Sequence, residues 1–510
     1  MAGFGSLSRL SLLSAGLIAL PFLWPILFPL TWLALVPFLT AVERAPGWRQ
    51  ALSAGALTGV ATIALGFHWL VYTIHVFGGV NYALATLAFT LFVAYSAIPF
   101  VVFAGLVRLC GTGPLGLFPP AFWVAVEFWF PNLFPWYLAT SQTVFTSLNQ
   151  SADLVGHYGA TFVLLWCGTA LYRVLRARRG EGGVRAVTWT AAAACAALAA
   201  AVAYGHLRLA EVDAAAEAAR KLDIVVVQGN ISIERKGQAA FLRTNQQTYK
   251  DLSTRSRDAD LVIWPESAVE RWLPDRAGRV PPEVLPARHP HMIIGAITYR
   301  RLSSGGFRKY NSAIALDPAG AVLGRYHKRV LLAFGEYIPL APLIGGLPGM
   351  PPIGEGFTPG KLESTFALPR GARAATLICY EDLMPELSRR FVRDERANLL
   401  VNLTNDAWYG RTVAPWQHAR LARWRALETR RSLVRATNTG VTTVIDPAGR
   451  MSAPLPLFAE GVLTATVPLM EMETAYVRYG DWFAWLMSLV TVAAVAVRGF
   501  VFRGKFQTRP

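Results

Sequence analysis

Long apolar stretches separated by short polar loops fill the first 210 residues, give way to a mixed pattern, and return once near the end. The first stretch, Leu10 to Ala41, contains Pro25 and Pro29. As a single helix it would be about 48 Å long against a hydrocarbon core of about 30 Å, so it predicts two spans that turn near the prolines. Further spans are predicted at Ala51 to Thr73, Tyr82 to Val107, Leu115 to Phe130, Leu154 to Leu171, Ala186 to Tyr204 and Trp482 to Val497. The plan is an α-helical transmembrane bundle of eight spans, with a membrane domain at 1–210, an intervening domain at 211–480, and a last span with its tail at 481–510. Arg9 precedes the first apolar run, but no small-residue cleavage site ends it, so the N-terminus reads as a retained anchor.

Between the seventh and eighth spans the texture changes. Leu222 to Val227, Leu261 to Trp264, Met292 to Ala296, Ser312 to Leu316, Ala374 to Cys379, Leu399 to Leu403 and Thr442 to Ile445 read as strands, mostly continuous apolar runs. Such runs belong to strands buried on both faces. Gly237 to Arg255 and Thr412 to Ser432 read as amphipathic helices between them. The alternation predicts a layered α/β domain.

Composition supports this division. Apolar residues make up 53% and charged residues 16%, with a mean hydropathy of +0.35. An ordinary soluble domain has about 25% charged residues, which rules out one compact soluble domain. The net charge of +17 is placed unevenly. The flanks carry +10 of it, with arginines at 9, 44, 49, 108, 173, 176, 178, 179 and 185 in loops that would share one side, and a basic C-terminus. The loops near His75 to Asn81 and Pro131 to Asp153 have no Lys or Arg. Basic loops stay in the cytoplasm, so residues 211–480 are expected outside it, and the charge is a topology signal rather than a nucleic-acid surface.

Cys110, Cys167 and Cys195 lie in or beside spans, which leaves Cys379 as the single external cysteine. With no external partner it is either a buried small hydrophobe or a thiol in use. It ends an apolar strand and is followed by Tyr380, Glu381 and Asp382, a position from which a side chain can enter a cleft. Glu266 stands where the strand Leu261 to Trp264 runs into Pro265, and Lys328 lies in Tyr326-His327-Lys328, ahead of Phe334-Gly335-Glu336. Singly, Glu266 and Lys328 read more readily as surface residues.

In the order Glu, Lys, Cys, the strings Trp264-Pro265-Glu266-Ser267, Tyr326-His327-Lys328 and Ile378-Cys379-Tyr380-Glu381 resemble the triad of the nitrilase superfamily. Val227-Gln228-Gly229-Asn230-Ile231, Asn405-Asp406-Ala407-Trp408-Tyr409-Gly410 and Pro415-Trp416-Gln417-His418, with the multi-span anchor, resemble the apolipoprotein N-acyltransferase family within it. The resemblance covers nearly the whole chain. It implies a nitrilase-like α-β-β-α sandwich on the periplasmic side of a bacterial inner membrane and a two-step, ping-pong acyl transfer. A phospholipid would be the acyl donor, Cys379 would carry the acyl group as a thioester, and a diacylated apolipoprotein would accept it on its N-terminal amine. Glu266 would be the general base and Lys328 the oxyanion partner, with Glu336, Tyr380 and Glu381 in support. No cofactor and no metal are implied. One departure is Gly237, where the family usually carries tryptophan.

Three further features bear on function. Ile338 to Ile353 is uncharged and rich in Pro and Gly, and suggests a membrane-facing lid beside Glu336. Glu127 and His68 are ionisable residues within predicted spans, from which a transporter reading would start. A membrane-tethered amide or nitrile hydrolase with the same triad is the other alternative.

Overall fold

The computed structural model describes residues 4–181, 183–254, 258–303, 305–333, 335–337, 356–361 and 365–507, the last eight by backbone only. The chain forms two compact units, one of Met1–His68, Thr86–Leu209 and Tyr479–Pro510, the other of Trp69–Ala85 and Ala210–Arg478.

The first unit is helical. Among the described residues, six helical stretches are long and apolar enough to cross a membrane: Gly5–Leu23, Pro25–Arg44, Tyr82–Cys110, Tyr158–Ala177, Val184–Ala218 and Trp482–Gly499. The turn between the first two falls at Trp24 and the short 3-10 helix Pro25–Leu30, where proline removes backbone donors. The third expected span, Ala51 to Thr73, is instead two helices, Trp48–Gly66 and Leu70–Gly78, and as a broken pair it would make a seventh. His68 lies exposed in that break with its ring on the Leu65 carbonyl at 2.9 Å, so it is not a residue of a continuous span. The expected span Leu115 to Phe130 is a helix of 12 residues, Phe118–Trp129, about 18 Å long and below the length test.

The buried carboxylates Glu127 and Asp153 of this unit have local partners. Glu127 accepts from the Leu138 amide at 2.9 Å, from Trp123 Nε1 at 3.4 Å and from the Thr161 hydroxyl at 3.4 Å. Asp153 pairs with Arg208 at 2.6 Å and accepts from Tyr204 at 2.8 Å. Three donors from the surrounding residues account for Glu127, so the transporter reading loses its starting point.

The second unit is a two-sheet sandwich. Its strands are β1 Lys221–Gln228, β2 Leu261–Ile263, β3 Val269–Pro274, β4 His291–Arg301, β5 Phe307–Leu316, β6 Val322–His327, β7 Thr365–Leu368, β8 Ala372–Ile378, β9 Leu399–Thr404, β10 Ser432–Thr437, β11 Thr443–Ile445 and β12 Gly461–Pro468. One sheet runs β12-β1-β2-β4-β5-β6 with β3 on β4; the other runs β11-β10-β9-β8-β7. The strands β1, β2 and β4 and the strands β8, β9 and β10 are parallel neighbours, which is why they are apolar on both faces.

Alternation along β1 shows how the layers form. Ile224 and Val226 join Ile263 and Ile293 against Leu377, Leu400 and Val434 of the second sheet, while Val225 and Val227 pack with Tyr249 and Leu252 of the helix Leu242–Ser253. Phe391 of the helix Pro385–Arg393 and Ala422 and Ala426 of the helix Ala414–Thr429 join the core containing the second sheet. Strands β3, β6, β7, β10 and β12 were not expected from the sequence. Each is short or interrupted by polar residues, and pairing with a neighbouring strand, not an apolar run of its own, makes it a strand. The Ile338 to Ile353 stretch lies outside the described residues.

Candidate active site

Glu266, Lys328 and Cys379 stand just past the ends of β2, β6 and β8. Beyond Ile263 the Trp264 amide still bonds the Ile293 carbonyl at 2.9 Å; Pro265 then offers no donor and the chain turns, with Ser267 at φ 51°. The turn lies so close to β4 that a Cβ on Gly295 would sit 2.2 Å from the Pro265 carbonyl oxygen and 2.7 Å from the Glu266 Cα. Only glycine fits there, so Gly295 sets the depth of Glu266 in the site.

Cys379 also has positive φ, 51°, in a turn that begins the 3-10 helix Cys379–Leu383. For a non-glycine residue this backbone costs of order 1–3 kcal/mol and persists only when its surroundings impose it. Glu381 imposes it. Its carboxylate accepts from the Ile378 amide at 2.8 Å, just before the nucleophile candidate, and from the amides of Arg329 at 2.6 Å and Val330 at 3.0 Å, just after Lys328; Tyr326 donates to it at 2.9 Å. One buried carboxylate thus ties the ends of β8 and β6 together. Burial pushes Glu381 up to about 6 against those donors. Tyr380 lies buried in the same turn.

Lys328 is 1% exposed and Glu266 8% exposed. The Lys328 ammonium lies 2.7 Å from Glu336 and 3.9 Å from Glu266. Asn311, on β5, donates to both carboxylates, at 2.7 Å to Glu266 and 2.9 Å to Glu336, and its backbone carbonyl accepts from the Lys328 amide at 2.8 Å. Asn311 therefore organises the two acids and the lysine, and sequence reading missed it because a lone polar residue within a strand carries no signal of its own. Glu336 also accepts from the Leu332 amide at 2.9 Å. The neighbouring Phe334 lies outside the described residues.

These groups shift one another. Burial raises Glu266, opposed by the Lys328 charge and the Asn311 bond and helped by Glu336. Burial works against the Lys328 charge, but the Cys379 thiolate and the carboxylates of Glu266 and Glu336 outweigh it and hold the ammonium protonated. Burial and the Glu266 charge push the Cys379 thiol up, while Lys328 and the Thr404 hydroxyl draw it down. A carboxylate raised toward neutrality, a fixed cation and a thiol that needs a base form a set able to carry out acyl transfer.

At the departure position, Gly237 has φ 78° and its amide donates to Glu270 at 2.6 Å, while the adjacent Lys236 ammonium bonds the Glu266 carbonyl at 3.2 Å. Among the described residues no group of three or more His, Cys, Asp or Glu side chains could hold a metal ion.

A family model described as carbon-nitrogen hydrolase matches residues 224–476, and one described as the apolipoprotein N-acyltransferase N-terminal domain matches residues 14–170. A relative from Geobacter metallireducens named apolipoprotein N-acyltransferase is 34% identical over 505 residues, 96% of this chain and 95% of its own. One of the same name from Methylococcus capsulatus is 33% identical over 442 residues, 84% of each chain. Among solved structures, an amidase from Nesterenkonia sp. is 20% identical, covering 52% of this chain and 95% of its own, with a TM-score of 0.37. The two family models and the nearly full-length relatives agree with the motifs, and the chain belongs to the apolipoprotein N-acyltransferase family.

Proposed function

We propose that this chain is a multi-pass enzyme of the bacterial inner membrane that N-acylates lipoproteins, taking an acyl chain from a phospholipid as a thioester on Cys379. The observation that carries the reading is the convergence of Glu266, Lys328 and Glu336 on Asn311, tied through Glu381 to the turn that presents Cys379. In the first step Glu266 takes the thiol proton and the sulfur attacks the ester carbonyl. The tetrahedral oxyanion forms facing the Lys328 ammonium, whose charge is worth more in a poorly hydrated site than in water. Collapse expels the lysophospholipid oxygen, which receives the proton from Glu266. In the second step the α-amino group of a diacylglyceryl-cysteine attacks the thioester, Glu266 takes the amine proton, and the sulfur leaves and is reprotonated.

The basic-loop asymmetry supports a periplasmic sandwich domain and eight crossings, the helix Phe118–Trp129 making one of them. The 3-10 turn Pro114–Gly116 before it and the extended Phe130 after it would have to complete the crossing, and single cysteines placed at residues 112 and 132 should then react with a membrane-impermeant reagent from opposite sides; reaction of both from one side would remove this crossing.

Intact-protein mass measurement tests the chemistry. Phospholipid alone should add one acyl mass to the wild type and none to Cys379→Ala, and an acceptor peptide should remove it. Loss of the adduct to water alone would instead identify a hydrolase. No adduct with any phospholipid would overturn the reading.

A further inference from the structure

Past the nucleophile candidate lies a second charged group with no part in the steps above. Asp382, Asp406, His418 and Arg435 are all at most 1% exposed. His418 Nε2 lies 2.8 Å from Asp382 and Nδ1 3.2 Å from Asp406; Arg435 pairs with Asp382 and lies 3.7 Å from Asp406. The Asp406 carboxylate is also pressed by backbone, since a Cβ on Gly440 would fall 2.1 Å from its Oδ2. On the far side of the same loop, Tyr409 packs its ring edge-on to Trp69, which donates to Gln417 at 2.9 Å. The loop after β9 is therefore held from both sides.

Thr404, the last residue of β9, stands where this loop begins. Strands β8 and β9 are parallel and pair Ile378 with Leu403, so Cys379 and Thr404 are the next residues along each strand. Thr404 is fully buried, and its hydroxyl lies 3.5 Å from Asp406 Oδ1, too long for a strong bond. Its proton is free to turn toward sulfur. A buried thiolate needs such a donor: the Lys328 ammonium, bonded to Glu336 at 2.7 Å, is the group that faces the oxyanion, and both protons of the Asn402 amide are engaged by the carbonyls of Leu377 and Cys379.

We propose that Thr404 is a further catalytic residue, its hydroxyl turning its one proton away from Asp406, which His418 and Arg435 hold in place, to the Cys379 sulfur once Glu266 has taken the thiol proton. The threonine keeps its own proton throughout, so the balance of the acyl transfer is unchanged. The lowering of the thiol by Thr404 agrees with this. The other groups that act on the thiol are Glu266, Lys328 and Asp406, and Tyr409 faces it with a phenol that stays protonated. The inference rests on Cys379 being the acyl carrier.

Thr404→Val keeps the shape and removes the hydroxyl. In the full-length enzyme supplied with phosphatidylethanolamine vesicles, thioester formation in a single turnover should slow by roughly 10- to 100-fold, the size of a hydrogen bond to a charged group. The pH midpoint for alkylation of Cys379 by iodoacetamide, read by peptide mass, should rise by about one unit or more. Thr404→Ser should return both to near wild type, and Asp406→Asn, which removes a negative charge acting on the thiol, should move the alkylation midpoint down, opposite to Thr404→Val; a midpoint that rises in both would overturn the assignment of the donor. A folded Thr404→Val with the wild-type rate and the wild-type alkylation profile overturns the proposal; if that variant does not fold, Thr404→Ala carries the same comparison. Should the wild type form no thioester on Cys379, the functional reading fails, whereas the alkylation profile still judges Thr404.

Discussion

The residues on the two sides of Cys379 are made of similar chemistry and are arranged for opposite purposes. On one side Glu266, Glu336 and Lys328 share Asn311, and burial leaves Glu266 raised, so a proton can move there at little cost. On the other, Asp382, Asp406, His418 and Arg435 neutralise one another in full burial, so moving any proton or charge is expensive. Charge count already separates them, since two carboxylates share one ammonium on the first side and face both an imidazolium and a guanidinium on the second. The difference lies in how completely each charge is matched. A group short of one cation suits proton transfer, and a charge-balanced one suits holding backbone in place.

The sharpest way to break this contrast is at the first group. Lys328→Met and Glu266→Gln should each slow thioester formation by about a thousandfold or more while the protein stays folded, as read by single-turnover mass measurement and by melting in detergent. Glu336→Gln should cost less, about 10- to 100-fold, because Asn311 and Glu266 still hold the lysine.

The second group should answer in stability. His418→Ala leaves Asp382 and Asp406 short of a cation in a buried site, which should cost about 3–5 kcal/mol and appear as a melting temperature well below that of Glu266→Gln. Its pH dependence has a definite sign. Burial opposes the His418 charge, but Asp382 and Asp406 outweigh it and raise the imidazole to about 9. The group binds its proton more tightly folded than unfolded, so its contribution is fully present below about 6.5 and is lost as pH rises through about 9. Melting of the wild type should therefore fall between these values, and His418→Gln should remove that part of the slope. The smallest effect belongs to an exposed pair of the same types, Arg271 and Glu283, with side chains 63% and 62% exposed. Removing either should change stability by about 1 kcal/mol or less.

How far sequence reading reached depended on where each residue stands. Glu266 and Cys379 terminate apolar parallel strands, and a change from continuous hydrophobic residues to Pro-Glu or Cys-Tyr-Glu is visible in one dimension. Lys328 ends β6, which has no apolar run, and it was legible only through its motif. Asn311 had no signal, because what distinguishes it is two carboxylates from distant parts of the chain. His418 and Asp406 were noticed as parts of motifs, but Arg435 was not, since an arginine in Ser432–Thr437 resembles any other basic residue until its burial is known. In the helical unit, apolar length located the spans but not the break at 67–69, and it did not reveal that Trp69–Ala85 packs with the sandwich rather than with the helices.

Apolar run length and the spacing of basic loops were enough to divide this chain into membrane helices and an α/β domain, because burial in lipid or between layers demands a local excess of hydrophobic residues that no distant contact can replace. The motifs were enough to single out Glu266, Lys328 and Cys379 as a candidate set. Which of two charged groups can move a proton was decided by the fold. Desolvation and partner count depend on side chains brought together from β2, β5, β6, β9 and β10, and these have no fixed separation along the chain.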